Sequence, residues 1–171
     1  MNIRTIILLS FLFLCLHIQA QAQPIQKGTK PYIEFKEIWT AFAKAIISKD
    51  TNEIRKLSTK CISCSSSDTP YISPNYISIA EFIQDACWIF DSTTTSRLLN
   101  NEKLVFLNDD HNSKLYKQPC ISNEVILLYP LHMEVLVTII DHSKSFEGFQ
   151  KAFAFIETKN GLKFCGYSTI P

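Results

Sequence analysis

Residues 34–49, EFKEIWTAFAKAIISK, form the most strongly amphipathic segment of this 171-residue chain. Apolar side chains recur at positions i, i+3, i+4, i+7 and i+11, and at about 100° per residue they share one side of a helix. These side chains belong to Phe35, Ile38, Trp39, Phe42 and Ile46. Glu37, Thr40 and Lys44 lie on the opposite side. The pattern predicts an amphipathic helix on which the rest of the fold packs.

A capping-box pattern follows this helix directly. Asp50 and Glu53 can bind backbone N–H groups at the start of a helix, which predicts a short helix over residues 51–58. Residues 61–78, CISCSSSDTPYISPNYIS, are then rich in serine and contain two prolines, a composition typical of a loop. Because long ordered loops in compact domains are often functional, residues 61–78 are a candidate wall of a binding site.

A second capping box, Ser78 with Glu81, predicts a third helix that ends near Phe90. Its inward side chains are Ile79, Phe82, Ile83, Ala86 and Phe90. Trp88 lies on the opposite, polar side of this helix. Its indole is either covered by residues 61–78 or left open for a partner.

Beyond residue 102 the apolar pattern changes from helical to extended, and residues 91–102 are expected to be irregular. β-branched and aromatic residues dominate five segments, at residues 103–107, 124–129, 133–140, 149–157 and 162–168. Residues 115–120 can add a short edge strand. Asn160-Gly161 predicts a tight hairpin between the last two segments, because both residues accept positive φ.

The last hairpin also predicts how the sheet is buried. Phe153 and Phe155 lie on one side and Ala154 and Ile156 on the other, so neither side is polar. We expect burial on both sides, against the helices on one side and either within the chain or in an oligomer on the other. Helices followed by an antiparallel meander indicate an α+β fold, with N-terminal helices packed on a strongly curved, mostly antiparallel sheet.

The first 22 residues have the three parts of a secretory signal peptide. Arg4 precedes an apolar run at residues 6–16, and Ala20-Gln21-Ala22 has the small-x-small pattern of a cleavage site. A membrane anchor is the alternative, but this run is shorter than the roughly 20 residues that span a bilayer. We predict an exported protein, periplasmic or secreted, with a flexible lead-in at residues 23–33 and a single domain at residues 34–171.

The charge of the mature chain argues against two classes of partner. Arg4 is one of 17 Lys and Arg residues, so its removal leaves as many basic side chains as acidic ones, which number 16. Binding to nucleic acid or to an anionic membrane depends on clustered Lys and Arg, and the sequence contains no such cluster. We therefore expect no nucleic acid and, after signal cleavage, no membrane as a partner.

The order and spacing of these features resemble the NTF2-like superfamily, in particular small secreted members from Bacteroidetes-type bacteria. The matching features are Phe42-Ala43-Lys44-Ala45, Asp50 at the turn, the short helix ending on Leu57, a third helix, and long terminal strands joined by Asn160-Gly161. The resemblance covers about residue 34 to the C-terminus. It implies a cone-shaped sheet around a long helix, a cavity between sheet and helices, and often a dimer. Members include isomerases, dehydratases and many proteins without known activity, so the fold does not determine function.

The sequence contains no recognisable catalytic constellation. No residue matches the carboxylate base and acidic donors of the members that resemble ketosteroid isomerase. The acid-histidine pairs at residues 109–111 and 141–142 fall at strand ends among polar residues, where solvated turns are the simpler interpretation. His132 adds no metal-ligand spacing, and neither a Gly-rich phosphate loop nor a nucleophile elbow is present. We predict no catalytic residue, metal or cofactor.

Five cysteines remain after signal cleavage, namely Cys61, Cys64, Cys87, Cys120 and Cys165. In an exported protein they favour disulfide bonds, and their odd number leaves one thiol or a bond between chains. Cys61 and Cys64 form a C-x-x-C motif, which is a redox pair in thioredoxin-like proteins. Because this motif follows a helix and lacks a βαβ context, a structural cross-link is favoured over catalysis. It either holds residues 61–78 together or joins them to Cys87 or Cys165.

Two classes of function remain open. The favoured one is a non-catalytic binding module whose cavity takes a small apolar ligand or a protein partner. Its candidate binding residues are Trp39, Tyr71, Tyr76 and Trp88. The alternative is an enzyme, either a cavity acid-base catalyst of the superfamily type or a C-x-x-C thiol oxidoreductase. Ionisable groups in the cavity would favour catalysis, and apolar walls would favour binding. In a third interpretation the cavity is filled and the apolar strands form a homodimer interface.

Overall fold

The computed structural model describes residues 23–65, 75–108, 131–143, 145 and 147–170. Within these residues the chain has an α+β fold of four helices and a seven-stranded, mostly antiparallel sheet. In chain order the elements are β1 (Gln23–Pro24), α1 (Lys30–Ser48), α2 (Thr51–Leu57), β2 (Ser58–Ser65), β3 (Asn75–Ser78), α3 (Ile79–Ile89), α4 (Ser92–Arg97), β4 (Leu104–Asn108), β5 (His132–Ile140), β6 (Phe149–Thr158) and β7 (Gly161–Ile170).

Helix α1 confirms the amphipathic pattern of the sequence and begins earlier than predicted. Pro31 lies in its first turn, where the missing N–H of proline costs no helical hydrogen bond. Four of the five predicted inward side chains are buried, and Ile38 packs partly buried against the same core. The helix ends at Lys49, which adopts the left-handed conformation with φ 56°.

The capping boxes differ in how completely they form. At α3 the predicted box is present: the Ser78 N–H donates to Glu81 Oε2 (2.7 Å) and the Glu81 N–H to Ser78 Oγ (3.2 Å). The first of these bonds contributes most to lowering the pKa of Glu81. At α2 the carboxylate of Asp50 accepts two backbone N–H groups as expected. Glu53 instead pairs with the ammonium of Lys56, one turn further along the helix.

The sheet has the order β1-β4-β5-β6-β7-β2-β3, and all neighbouring strands run antiparallel except β2 and β7. The predicted loop at residues 61–78 is therefore wrong at both ends. Cys61 pairs with Ser78 and Cys64 with Asn75, and β2 also pairs with β7 near the C-terminus. Pairing with a strand so distant in sequence stabilises an extended conformation that the local composition does not indicate.

Two other segments also contain more secondary structure than predicted. Residues 91–102 include α4 and a 3₁₀ turn at Asn101–Lys103. Asp91 starts α4, because its carboxylate accepts the Thr94 N–H at 2.7 Å. In the predicted lead-in, β1 pairs with the end of β4 and α1 already starts at Lys30. The predicted strands at 115–120 and 124–129 lie outside the described residues.

The terminal hairpin is confirmed, with a turn that differs in detail. Thr158 pairs with Gly161, and β6 and β7 stay antiparallel along their length. Gly161 has φ 88°, whereas Asn160 does not take a positive φ. A hairpin loop can also combine a type I turn, whose residues have negative φ, with one left-handed residue directly after it, so a single positive φ is enough.

Both sides of β6 are buried within one chain, which is the first of the two arrangements expected from the sequence. Phe153 and Phe155 belong to the main core with the helices, and Ala154 and Ile156 form a second cluster with Cys165. The stretches that the structure describes contain no helix with the length and apolar character needed to cross a bilayer.

Candidate functional site

Aromatic side chains fill the space between α1 and the sheet. The Trp39 ring lies 5.4 to 6.2 Å from the rings of Phe42, Phe153 and Phe155, and only 1% of Trp39 is exposed. Its Nε1 donates a 2.8 Å hydrogen bond to the carbonyl oxygen of Leu98. A buried indole needs such a partner. Trp39 is thus a core residue, and the cavity expected from the resemblance does not open around it.

An apolar cleft open to solvent lies beside the C-terminal end of α1, with a volume of about 300 Å³. We call it the interhelical cleft, because α1 and α2 form one wall and α3 and α4 the other. Its described lining residues are Ile46, Ile47, Lys49, Thr51, Ile54, Ile83, Gln84, Ala86, Phe90 and Thr95. The volume lies at the lower end of the range for small-molecule sites. A wider depression along α1 from Gly28 to Lys44 is more open, and its described lining comes from one helix and the residues before it.

The sharp turn between α1 and α2 shapes one wall of the interhelical cleft. The N–H of Lys49 reaches the carbonyl oxygens of Ala45 and Ile46, and the Asp50 N–H donates to Ala45 O at 2.9 Å. Ile46 of α1 and Ile54 of α2 belong to the same core cluster, and both line the cleft. Side chains of two consecutive helices therefore line the cleft without an intervening loop.

The polar groups of the cleft are few. Thr95 donates its hydroxyl to the carbonyl oxygen of Phe90 at 3.1 Å, so that group is already engaged. Lys49 is the one ionisable side chain among the described lining residues, since no carboxylate, imidazole or thiol lines the cleft there. Proton transfer to a substrate needs such a group within hydrogen-bond reach. The described residues also contain no cluster of three or more metal-ligand side chains.

The C-x-x-C motif lies on strand β2, and its two cysteines face opposite sides of the sheet. Side chains alternate along a strand, so residues three positions apart point to opposite faces. The pairing with β3 is regular from Cys61 to Cys64, and Ile62 between them is buried in the main core. Cys64 shares the core side with Ile62, whereas Cys61 is on the other side. The motif therefore does not form a dithiol pair.

The chemical states of the cysteines agree with this geometry. Cys61 is disulfide-bonded, whereas Cys64 and Cys165 carry thiols. Neither a bond within the motif nor a bond from Cys61 to Cys165 is present. Burial raises the pKa of Cys64, although a hydrogen bond to Tyr167 opposes this effect. Burial also raises the pKa of Tyr167, to about 12.

Tyr76 and Cys165 lie away from the interhelical cleft. Ile77 packs against the main core, so its neighbour Tyr76 projects from the opposite face of β3. Burial raises the pKa of Tyr76, and the Cys165 thiol is near enough to add to this effect. Complete burial raises the pKa of Cys165 as well, which makes its thiol a poor nucleophile. The structure does not bring Tyr76 and Trp39 together.

The remaining sequence candidates are only partly described. Tyr71 and Cys120 lie outside the described residues. Trp88 and Cys87 belong to α3, and the description does not extend to their side chains. Of the acid-histidine pairs, Asp141 and His142 are exposed at the end of β5. The Asp141 carboxylate binds Lys103 at 2.7 Å, and this hydrogen bond lowers the pKa of Asp141.

Lys151 is a buried lysine beneath the α3–α4 junction that was not predicted from the sequence. Its Nζ donates to the carbonyl oxygen of Ile89 (2.5 Å) and to Thr94 Oγ1 (2.9 Å). The carboxylate of Asp91 lies 4.0 Å away. Burial lowers the pKa of Lys151, and the charge of Asp91 opposes this shift. The sequence indicates this position only through strand alternation, which puts Lys151 on the same, core-facing side of β6 as Phe149 and Phe153.

Neither a protein family model nor a curated protein sequence matches the chain. Solved structures do match it, at low similarity. A DUF4783 family protein from Bacteroides fragilis has 8% identity and a TM-score of 0.38, covering 75% of this chain and 93% of that one. An NTF2-like protein with a cystatin-like fold from Novosphingobium aromaticivorans has 9% identity and a TM-score of 0.35, covering 84% of this chain and 90% of that one.

A third match is an NTF2-like family protein from Streptomyces avermitilis, provisionally named a dehydratase. Its identity is 15% and its TM-score 0.39, over 81% of this chain and 94% of that chain. The chain resembles NTF2-like proteins. The resemblance is loose, and we transfer no residue role from these proteins to this chain.

Proposed function

We propose that this chain is an exported, non-catalytic binding module that takes a small, largely apolar ligand in the interhelical cleft. The observation that carries the proposal is the composition of the cleft. Side chains of Ile46, Ile47, Ile54, Ile83, Ala86 and Phe90 line it, with a few polar groups among them. Small-molecule sites typically combine apolar walls with a few polar groups that orient the ligand. The signal-peptide pattern at residues 1–22 supports export.

The same composition weighs against the two enzymatic alternatives. An acid-base catalyst of the superfamily type needs a carboxylate base at the reacting atoms, and the described lining of the cleft contains no carboxylate, imidazole or thiol. Its one ionisable group is the ammonium of the exposed Lys49. A thiol oxidoreductase needs two cysteines that can approach each other. Cys61 and Cys64 are on opposite faces of the sheet, and burial raises the pKa of the Cys64 thiol. Binding without chemistry is the function that these features favour.

Titration with N-phenylnaphthylamine, a neutral apolar fluorophore, tests the proposal on the mature chain, residues 23–171. We expect saturable binding to the wild-type protein. Ala86→Phe fills part of the cleft and should raise the dissociation constant about tenfold or more, because it removes the space for the probe. Ala80→Phe is the matched control, since Ala80 is exposed on the same helix and does not line the cleft.

A second variant guards against misfolding of Ala86→Phe. Ile47 lines the cleft with 41% of its surface exposed, so Ile47→Ala should weaken probe binding without disturbing the core. Melting temperatures establish that each variant is folded. If the wild-type chain does not bind the probe, or if both cleft variants bind it as tightly as Ala80→Phe does, the proposal is wrong.

A further inference from the structure

We infer that the ligand of the interhelical cleft is an amphipathic anion, whose carboxylate or sulfonate binds the ammonium of Lys49 while its apolar body occupies the cleft. The inference rests on the proposed function and specifies the class of ligand. Medium-chain fatty acids belong to this class. Two independent observations lead to it: the charge distribution of the cleft and the backbone conformation of Lys49.

The charge of the cleft is positive and uncompensated among its described lining residues. Lys49 is exposed, and none of the ion pairs between described residues involves it. The neighbouring carboxylate of Asp50 already accepts the N–H groups of Asn52 and Glu53. No acidic side chain is found in the described lining. A ligand with a negative group would therefore meet an ammonium without displacing an internal partner.

The backbone of Lys49 supports a role for its side chain. Lys49 is the one non-glycine residue with positive φ in the described chain, at φ 56° and ψ 33°. Helices often end on such a left-handed residue, but glycine or asparagine usually occupies the position because a larger side chain is strained there. Glycine would be the more stable choice at this turn. A lysine in its place indicates that the side chain serves something other than the turn.

A lysine at a helix C-terminus also interacts favourably with the helix dipole, and the experiment must separate that effect from ligand binding. The variant Lys49→Gly does so. It removes the ammonium and relieves the backbone strain, so we expect an unchanged or higher melting temperature together with weaker anion binding. Lys49→Gln keeps a side chain of similar length without the charge. Lys44→Gln is the control, because Lys44 is exposed on α1 outside the cleft.

The test compares two fluorophores that share one apolar skeleton and differ by one sulfonate. These are neutral N-phenylnaphthylamine and anionic anilinonaphthalene sulfonate. We expect the wild-type chain and Lys44→Gln to bind the sulfonate about fivefold more tightly than the neutral probe, as an ion pair at an exposed rim allows. Lys49→Gln and Lys49→Gly should lose this preference, which is measured in each variant as the ratio of its affinities for the two probes. Decanoate should displace both probes, and decanol should do so less effectively.

The outcomes distinguish this inference from the proposed function. If the neutral probe binds but the sulfonate shows no preference that depends on Lys49, the cleft is a general apolar site and the inference is wrong. If the binding of neither probe responds to the cleft variants Ala86→Phe and Ile47→Ala, the proposed function fails and this inference fails with it. A preference that survives in Lys49→Gln and disappears in Lys44→Gln would place the anion on the outward side of α1, which also contradicts the inference.

Discussion

At the scale of single residues, the alternation of a β-strand determines the chemistry of the C-x-x-C motif. At a helix N-terminus the C-x-x-C spacing brings two cysteines together. On strand β2 the same spacing puts Cys61 and Cys64 on opposite faces of the sheet. Cys64 then faces the core side, where burial raises its pKa and its thiol lies near the Tyr167 hydroxyl. A motif with redox chemistry in one context thus has none of the required geometry here.

We predict that neither Cys64 nor Cys165 reacts readily in the native protein. The raised pKa leaves little thiolate near neutral pH, so Cys64 should be alkylated by iodoacetamide about tenfold more slowly than glutathione, or slower. Cys165 is fully buried and should react only after unfolding. Mass spectrometry of timed samples with and without urea measures both rates. Fast native alkylation of Cys64 would revive the thiol-chemistry alternative.

At the scale of elements, Lys151 connects the sheet to the helices. Strand β6 passes beneath the junction of α3 and α4, and the Lys151 ammonium binds the last carbonyl of α3 together with the hydroxyl of Thr94 in α4. Both groups would otherwise be buried polar atoms at a helix end, where an unmade hydrogen bond costs about 1–3 kcal/mol. A charged side chain is retained in the interior because it satisfies them.

We predict that Lys151→Met lowers the free energy of unfolding by about 1–2 kcal/mol at neutral pH, because the carbonyl of Ile89 loses its charged donor. The loss in free energy of unfolding caused by Lys151→Met should increase with pH. Burial lowers the pKa of Lys151 in the folded state below its ordinary value of 10.5. The folded chain therefore loses this proton at a lower pH than the unfolded chain does, and this difference stabilises the folded wild-type chain. The stabilisation is complete above pH 10.5 and disappears as the pH falls through the folded-state pKa. Only the wild-type chain can gain this stabilisation.

Urea unfolding at about pH 8 and about pH 10 measures this difference. Lys159→Met is the control, since Lys159 is exposed in the β6–β7 turn, and it should change the free energy of unfolding by less than about 0.5 kcal/mol. A difference between wild type and Lys151→Met that shrinks with rising pH would contradict the assigned direction of the pKa shift.

At the scale of the whole molecule, the packed interior adjoins the interhelical cleft. Ile46, Ile54 and Phe90 belong to the core and also line the cleft, whereas Trp39 does not line it. The aromatic rings of Trp39, Phe42 and Phe155 close the space between α1 and the sheet. The cleft lies at the end of the same helix, where Ile47 stays exposed. One helix therefore supplies core residues along most of its length and one wall of the cleft at its last turn.

We predict that stability and binding can be changed independently. Trp39→Phe removes the hydrogen bond to Leu98 and part of the indole volume, and it should lower the free energy of unfolding by about 1–3 kcal/mol. It should leave the affinity for N-phenylnaphthylamine unchanged. Ile47→Ala should have the opposite profile, with weaker probe binding and nearly unchanged stability. If Trp39→Phe weakened probe binding and Ile47→Ala did not, the ligand would bind beneath α1, where the resemblance implies a cavity.

The predictable parts of the fold are those with a local cause. The inward side of α1, the Ser78–Glu81 capping box and the two buried sides of β6 all follow from spacing within one element. The candidate site was less predictable. Trp39 was a candidate binding residue because the resemblance implies a cavity beneath α1, and the structure places Trp39 in the core.

Local spacing is sufficient for such features, because helix periodicity, end caps and strand alternation depend on residues a few positions apart. The pairing of β2 with β7 and the convergence of α1, α2 and α3 on one cleft join parts of the chain that are far apart in sequence. Whether an apolar side chain fills a core or lines a cleft depends on what the rest of the chain places opposite it, and this is settled only when the chain has folded.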